Sequence, residues 1–550
     1  VQRLAQKCKR GAITDQKVHF GIIETAMKIR ALCLLLLLSL SSFAQKLDRI
    51  PQDAMKAINP TELRMHLEFL ASQEFGGRYT LAPNFQVAAK YLATRLEAYG
   101  YKGAGKDGSF YQPFEVISSQ VEPQSSTLSI TAKGNTTDYK YGDFYNGGRV
   151  GGEIEAPIVF AGYGVSSPNQ DHDDYAKIDA KGKIVVISGG VPKGVDSSKL
   201  QRDEQGDEAA AKHGAVAVFM LPSREYVNFM RRAGPMRDRS SERATLAADK
   251  TQRVPEIRLA PDASDLLLSL IGLDIKKVND ATEKHDALTP TMIDGRAKLN
   301  LAIKQTSRMT QNVVGVLEGS DPKLKGEYVA FSAHYDHLKT SADGHIYPGA
   351  DDDGSGTVSV LNIAKAVADQ RPKRSVLVIF HAGEELGLLG SQYNADYSPI
   401  VPLDKIVTDL NIDMVGRTRD SNPKNARIVD NNSIYVIGAD KISQELADIH
   451  EKTNKDTEKL DFDLKYNDPN EPNRFYFRSD HWNYAKHGIP IIFWFDGTGE
   501  DYHQQSDTVD KINFEKMSRV ARLVYATGYR VANLDHRLKI GTNAGSKAAD

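Results

Sequence analysis

Between residues 328 and 391 the chain reads as strand, helix, strand, and each strand breaks abruptly into charged residues. Two apolar, β-branched runs, 328–333 and 375–380, flank a helical pattern of Val358, Leu361, Ala364 and Val367 opened by a Gly-Ser-Gly turn. A unit of this kind builds a parallel sheet, and in open α/β sheets ligands bind at the carboxyl ends of the strands. His334, Asp336, Asp352, Glu384 and Glu385 all fall where a strand has just ended or a helix is starting. That many ligating or proton-transferring groups on one edge point to a site, not to a solvated surface.

The pattern continues on both sides. Leu63, Leu67 and Leu70, then Val87, Tyr91, Leu92 and Leu96, carry helical spacing, with Gly100 placed to end the second helix. Strands are predicted at 312–317, 406–412, 433–437 and 489–495, and helices at 441–453 and 514–532. The fold class is therefore α/β, a mostly parallel or mixed sheet covered by helices on both faces. Residues 114–298 differ in texture. Short strand-like runs at 127–131, 158–161, 183–187 and 216–220, with a helical turn at 208–213, predict a β-rich module inserted into the α/β domain. The expected division is 45–113 and 299–537 for the α/β domain, 114–298 for the insertion, and 538–550 for a frayed tail.

Residues 27–44, MKIRALCLLLLLSLSSFA, combine a basic start, an apolar run and a small-residue end. They read as a cleaved secretory signal peptide, too short for a permanent span. Residues 1–26 precede its Met and are set aside with it. Export to the periplasm or the medium is expected. Both cysteines, Cys8 and Cys33, lie in this region, so any metal held by the mature chain must be bound by His, Asp and Glu. Lys and Arg total 70 against 72 for Asp and Glu, so no basic excess favours a nucleic-acid partner. Oligomeric state is left open. The segment 100–107, GYKGAGKD, nearly matches a phosphate-binding loop but ends in Asp and follows a helix, so it reads as a turn.

Five motifs carry chemistry. In His334-Tyr-Asp336 the two outer residues share a strand face, so a carboxylate can fix the imidazole's tautomer. Gly349-Ala-Asp-Asp-Asp-Gly-Ser-Gly356 places three acids before a helix; they are out of register for a calcium loop, and one can point inward between two cations. Glu384 and Glu385 are adjacent and point in different directions, so one can ligate while the other moves a proton. Asp413 ends a buried strand and needs a partner, and His503 lies in the loop after the last strand. Two imidazoles and three carboxylates suit a pair of divalent ions sharing a bridging carboxylate: zinc, with manganese or cobalt as substitutes. Such a pair acidifies a shared water and polarises a carbonyl, which is acyl-bond hydrolysis.

The set HYDH, GADDDGSG, EELG, NIDM and YHQQSDT, in this order and spacing, resembles the M28 family of zinc aminopeptidases, and SQEFGGRYT near the start looks familial too. The resemblance implies that His334, Asp352 and Asp413 hold one zinc and Glu385 and His503 the other, with Asp352 bridging. It further implies Glu384 as general base and later acid, Asp336 as orienter of His334, and Asp480 of RSDHW as a substrate contact. The expected activity is release of N-terminal residues from peptides. Glutaminyl cyclase-like or carboxypeptidase-like relatives, and a non-catalytic receptor-like scaffold, are the alternatives. The run VFAGYGV…KGKIVVISGG…AAAKHGAVAVFML in the insertion resembles a protease-associated (PA) domain.

Overall fold

Alternation along the central strands sends side chains to two different cores. Val329, Phe331 and Ala333 pack with Val376, Val378 and Phe380 on one face, whereas Ala330, Leu377 and Ile379 pack on the other. A strand buried on both faces belongs in the middle of a helix-covered sheet. The computed structural model describes residues 50–541 apart from 142–147, 198, 225, 229–241, 342, 420–426, 469–470 and 472. The signal peptide expected at 27–44, the extension before it and the last nine residues lie outside the described residues.

Four parallel strands form the centre of a ten-stranded sheet, in the order Ser375–His381, Tyr328–His334, Ile406–Ile412, Ile491–Phe495. Antiparallel pairing takes over on the flanks, through Ile303–Leu317 on one side and Ser433–Ile437 on the other. The helices Pro60–Leu70, Phe85–Ala98, Gly356–Asp369 and Phe514–Asn533 cover one face. Shorter turns around Tyr484, Ala485 and Ala395 cover the other. Among the described residues no helix is long and apolar enough to cross a membrane.

The inserted module has its own seven-stranded sheet, running from Glu256–Arg258 at one edge to Asn135–Lys140 at the other. Its boundary differs from the sequence reading. The strand Tyr111–Val121 pairs with Ile303–Leu317 over its whole length, from Tyr111 opposite Val313 to Val121 opposite Ile303, so it belongs to the larger sheet. The texture changes at 114 because this strand is long, not because a new domain starts there. Arg243–Leu246 also returns from the module to pair with Tyr111–Val121. Two helices of the module, Pro261–Ser269 and Ile275–Glu283, were not expected; Pro261 opens the first and the Asp274 side chain caps the second. Nor is the tail frayed from 538. Leu538 is buried, and the Lys539 N–H donates to Glu445 and the Gly541 N–H to Ile442.

One buried imidazole far from the site makes stability pH-dependent in a traceable way. His450 is stacked on Phe462 (centroids 4.4 Å apart), edge-on to Trp494, and contacts Thr527 Oγ1 through Nδ1 at 3.1 Å. Burial alone pushes its pKa from the ordinary 6.5 down to about 3. Between those values the unfolded chain binds the proton and the folded chain does not, so stability falls as pH falls through this window. His450→Gln removes the titration and keeps a polar partner for Thr527. The stability gap between wild type and variant, from urea melts at a series of pH values, should shift against the wild type by about 1.4 kcal/mol per pH unit below pH 6. A pH-independent gap would show that His450 is not held neutral.

Candidate metal centre

The strand order sets the location. From Tyr328–His334 the chain moves to the neighbour on one side, then to Ile406–Ile412 on the other, so the topological switch lies between the first and third strands. Crevices open at such points. His334 is the last residue of one strand and Asp413 follows the last residue of the other, with Nε2 and Oδ1 3.5 Å apart.

The three acids of the turn divide their work. Asp353 accepts from the N–H groups of His334 (3.2 Å), Gly356 (2.9 Å) and Met414 (3.1 Å), pinning the turn to both strand ends. Asp351 accepts from the Gly416 N–H at 2.7 Å. Asp352 is left to face inward. Its Oδ1 lies 3.4 Å from His334 Nε2 and its Oδ2 lies 3.1 Å from His503 Nε2. Gly349 makes the turn possible: it sits at φ +57°, and a Cβ there would meet the Asp352 carbonyl oxygen at 2.4 Å and the His337 ring at 2.5 Å.

His503 arrives on the loop after Ile491–Phe495 with φ +58°, an uncommon conformation for a residue with a side chain. Two contacts hold it there. Its ring stacks on Tyr502 with centroids 3.9 Å apart, and the Asp507 carboxylate accepts from the Asp351 and Asp352 N–H groups at 3.0 and 3.1 Å. The paired glutamates do point apart. Glu385 Oε2 lies 3.2 Å from His503 Nε2, while Glu384 Oε2 lies on the other side, 3.9 Å from His334 Nε2.

Asp336 differs in detail from the expectation. The His334 Nδ1–H donates to its main-chain carbonyl (3.2 Å), whereas its carboxylate is 3.7 Å away and accepts from the Glu384 N–H at 3.2 Å. The residue thus positions both His334 and Glu384, each through a different group. Asp480 departs further. It is fully buried and is not among the residues that line the cleft. Burial pushes its carboxyl up to about 7 against the pull of His334. The resemblance of its segment implied a substrate contact, and its neighbours Arg478 and Trp482 do line the cleft.

Charge is concentrated here. Burial works against ionisation of Asp352, but His334 and His503 outweigh it and hold that carboxyl well below the usual range. For Glu385 burial is likewise overcome by His503, and the pKa falls to about 2. Burial lifts Glu384 well above the usual range, with His334 opposing and Glu385 and Asp413 adding. His503 is raised to about 11, because Glu385 and Asp352 overcome the burial that would lower it. So many buried carboxylates need positive charge nearby. Among the described residues, His334 Nε2, Asp352 Oδ2 and Glu385 Oε1 are buried and have no hydrogen-bond partner. Unpartnered nitrogen and oxygen donors aimed at common points, with no thiolate, fit zinc.

Above the donors opens a cleft of about 1370 Å³, walled by Arg474, Arg478 and Tyr502 on one side and by Arg149, Gln201 and Lys212 of the insertion on the other. A much smaller pocket lies beside Asp352, Glu384 and Asp413, where Met414, Phe475, Phe493 and Phe495 meet Arg478, Thr498 and Tyr502.

Residues 312–528 match the family model for peptidase family M28. This is an M28 peptidase domain. Aminopeptidase YwaD of Bacillus subtilis is 26% identical over 406 residues, covering 72% of this chain and 71% of that protein. A probable leucine aminopeptidase 2 of Aspergillus oryzae is 40% identical over 112 residues, 20% of this chain and 21% of its own. Leucine aminopeptidase 2 of Trichophyton equinum is 26% identical over 387 residues, and the chain spans 64% of its length. In fold, the aminopeptidase from Aneurinibacillus sp. strain AM-1 matches with a TM-score of 0.53 at 18% identity, over 89% of this chain and 96% of that one.

Three residues that serve the M28 site were missed in the sequence. Arg78 is fully buried and donates to the carbonyls of Leu70, Tyr335, Pro348 and Gly349, tying the first helix to the acid turn. Asp507 braces Asp352 as described. His337, three residues after His334, lies with Nδ1 2.7 Å from Glu385 Oε1. Each sits inside a motif already singled out, but only the packing shows where it points.

Proposed function

We propose that the chain is an exported two-zinc aminopeptidase that removes apolar residues from the N-termini of peptides. The observation that carries this reading is the placement of Asp352, whose two oxygens face two separate imidazoles, His334 with Asp413 on one side and His503 with Glu385 on the other. Ions held there would supply a Lewis acid for the scissile carbonyl and a water acidic enough to be deprotonated near neutral pH.

The chain's own residues supply the rest. Glu384 stands beside the donors and lines the cleft, so its Oε2 can take the water's proton and hand it to the departing amine. Asp336 holds Glu384 by its main chain, so the carboxylate is aimed without being neutralised. Met414, Phe475, Phe493 and Phe495 offer apolar surface beside Glu384 and Asp413, against which an apolar side chain can pack once the small pocket there widens. Relatives named as leucine aminopeptidases support that preference. Export rests on the leader at 27–44, and a PA-like role for the insertion rests on its sequence resemblance and on its forming one wall of the cleft.

A carboxypeptidase-like action is the second reading, because Arg474 and Arg478 line the same cleft and a guanidinium binds a terminal carboxylate. Amino-acyl anilides, together with N-blocked dipeptides that carry a free terminal carboxylate, decide between them. Leucyl and phenylalanyl anilides should be hydrolysed at least about tenfold faster than the glutamyl anilide, and the N-acetylated forms should be inert. Cleavage of blocked substrates with no cleavage of free ones would overturn the aminopeptidase assignment.

A further inference from the structure

The five donors above leave one imidazole over. His337 is completely buried, and among the described residues neither of its ring nitrogens has a hydrogen-bond partner. Its main-chain N–H is satisfied by the Arg78 carbonyl at 3.2 Å, and its ring lies edge-on to His503 with centroids 5.7 Å apart. A buried imidazole with both nitrogens unsatisfied costs folding free energy, and the molecule elsewhere avoids it: His450 contacts Thr527, and the His481 Nε2–H donates to Tyr476.

The direction of the ring is informative. His337 Nδ1 is 2.7 Å from Glu385 Oε1, yet both atoms are without a hydrogen-bond partner, so their polar axes converge instead of meeting head-on. The same nitrogen is 3.9 Å from Asp352 Oδ2, and His503 Nε2 is 3.1 Å from Asp352 Oδ2 and 3.2 Å from Glu385 Oε2. A tetrahedral zinc with bonds of 2.0–2.1 Å places neighbouring donors about 3.3 Å apart. These four separations scatter around that value. His337, Asp352 and Glu385 alone already have donor atoms within 4.8 Å of one another.

We infer that His337 is a sixth metal donor and that, with Asp352, Glu385 and His503, it closes a four-ligand zinc site of two imidazoles and two carboxylates. This inference rests on the two-zinc reading and makes the two ions unequal. The ion beside His334, Asp352 and Asp413 has three protein donors and keeps a position open, as catalytic zinc does. The ion beside His337 has its positions filled by protein, as structural zinc does, and is the one retained when a chelator strips the other.

The test is metal content along a dipicolinate titration of the full-length protein, combined with zinc-edge X-ray absorption on the form that retains one ion. The expected results are a plateau at one zinc per chain, two imidazoles on that zinc, and a drop in its affinity of more than about 100-fold in His337→Gln, beyond the 10–100-fold typical of an outer-shell partner. One imidazole on the retained zinc, or an unchanged chelator midpoint in His337→Gln, would overturn the assignment while leaving the two-zinc reading intact. Protein that binds no stoichiometric zinc would overturn both. The absorption measurement uses the wild-type protein, so the answer does not depend on the variant folding.

Discussion

Glu384→Gln is expected to keep its zinc and lose turnover by about 10²–10⁴-fold, the usual worth of a positioned proton-transfer group. The substitution is isosteric. The main-chain N–H of residue 384 still reaches Asp336, and its carbonyl still accepts from the N–H groups of Gly387 and Leu388, at 2.8 and 2.9 Å. His334, Asp352, Asp413, Glu385 and His503 keep their contacts with one another, because none depends on the 384 carboxylate. What changes is the ability to accept a proton at Oε2. The loss should therefore appear in kcat, with KM for leucyl anilide little altered and zinc content equal to wild type. Activity within a few-fold of wild type would remove Glu384 from the mechanism and redirect attention to another base.

Asp352→Ala is expected to empty the site beside His334 and to weaken the one beside His503, where Asp413→Ala affects only the first. Asp352 alone has one oxygen toward His334 and the other toward His503, so it is shared by both donor groups. Its main-chain N–H is held by Asp507 whatever the side chain, so the turn can persist in the variant. Activity should fall to background and zinc per chain should drop from two to at most one by elemental analysis. Thermal stability gives an independent reading. Ligands that bind only the folded state stabilise it by about 2.7 kcal/mol at a hundredfold excess over Kd, so zinc should raise the wild-type melting temperature more than the variant's. Two zinc ions retained by Asp352→Ala would break the bridging assignment.

The parts of this molecule that could be read from sequence are those whose causes are local. Runs such as 376–380 are apolar at every position, which a strand covered on both faces tolerates, and their abrupt ends marked the active edge. The five donors were legible because each follows such an end. Longer-range causes were not. Arg78 acts on carbonyls some 260 residues away, as with Gly349 at a separation of 271, and no spacing announces that. His337 was overlooked because a second histidine in one short motif carries no period; its meaning appears only when the His503 loop folds over it. Asp480 was misplaced because burial of one residue in a cleft-lining segment depends on which way a five-residue helix, His481–Ala485, leaves it. The module boundary was drawn early because the long strand Tyr111–Val121, which leads from the larger sheet toward the module, has the composition of either.

The passage from one sheet to the other has a mechanical side. Ile303–Leu317 begins one residue after Thr291–Leu301 ends, and the intervening Ala302 is itself anchored, accepting from the Glu122 N–H at 2.8 Å and donating to Ser126 Oγ at 3.1 Å. With Arg243–Leu246 as a third strut, the insertion is a braced cantilever rather than a domain on a leash. On the proposed reading, a wall braced in this way would keep the approach to Glu384 narrow, and unfolded peptide ends should then be cleaved in preference to termini held in folded proteins.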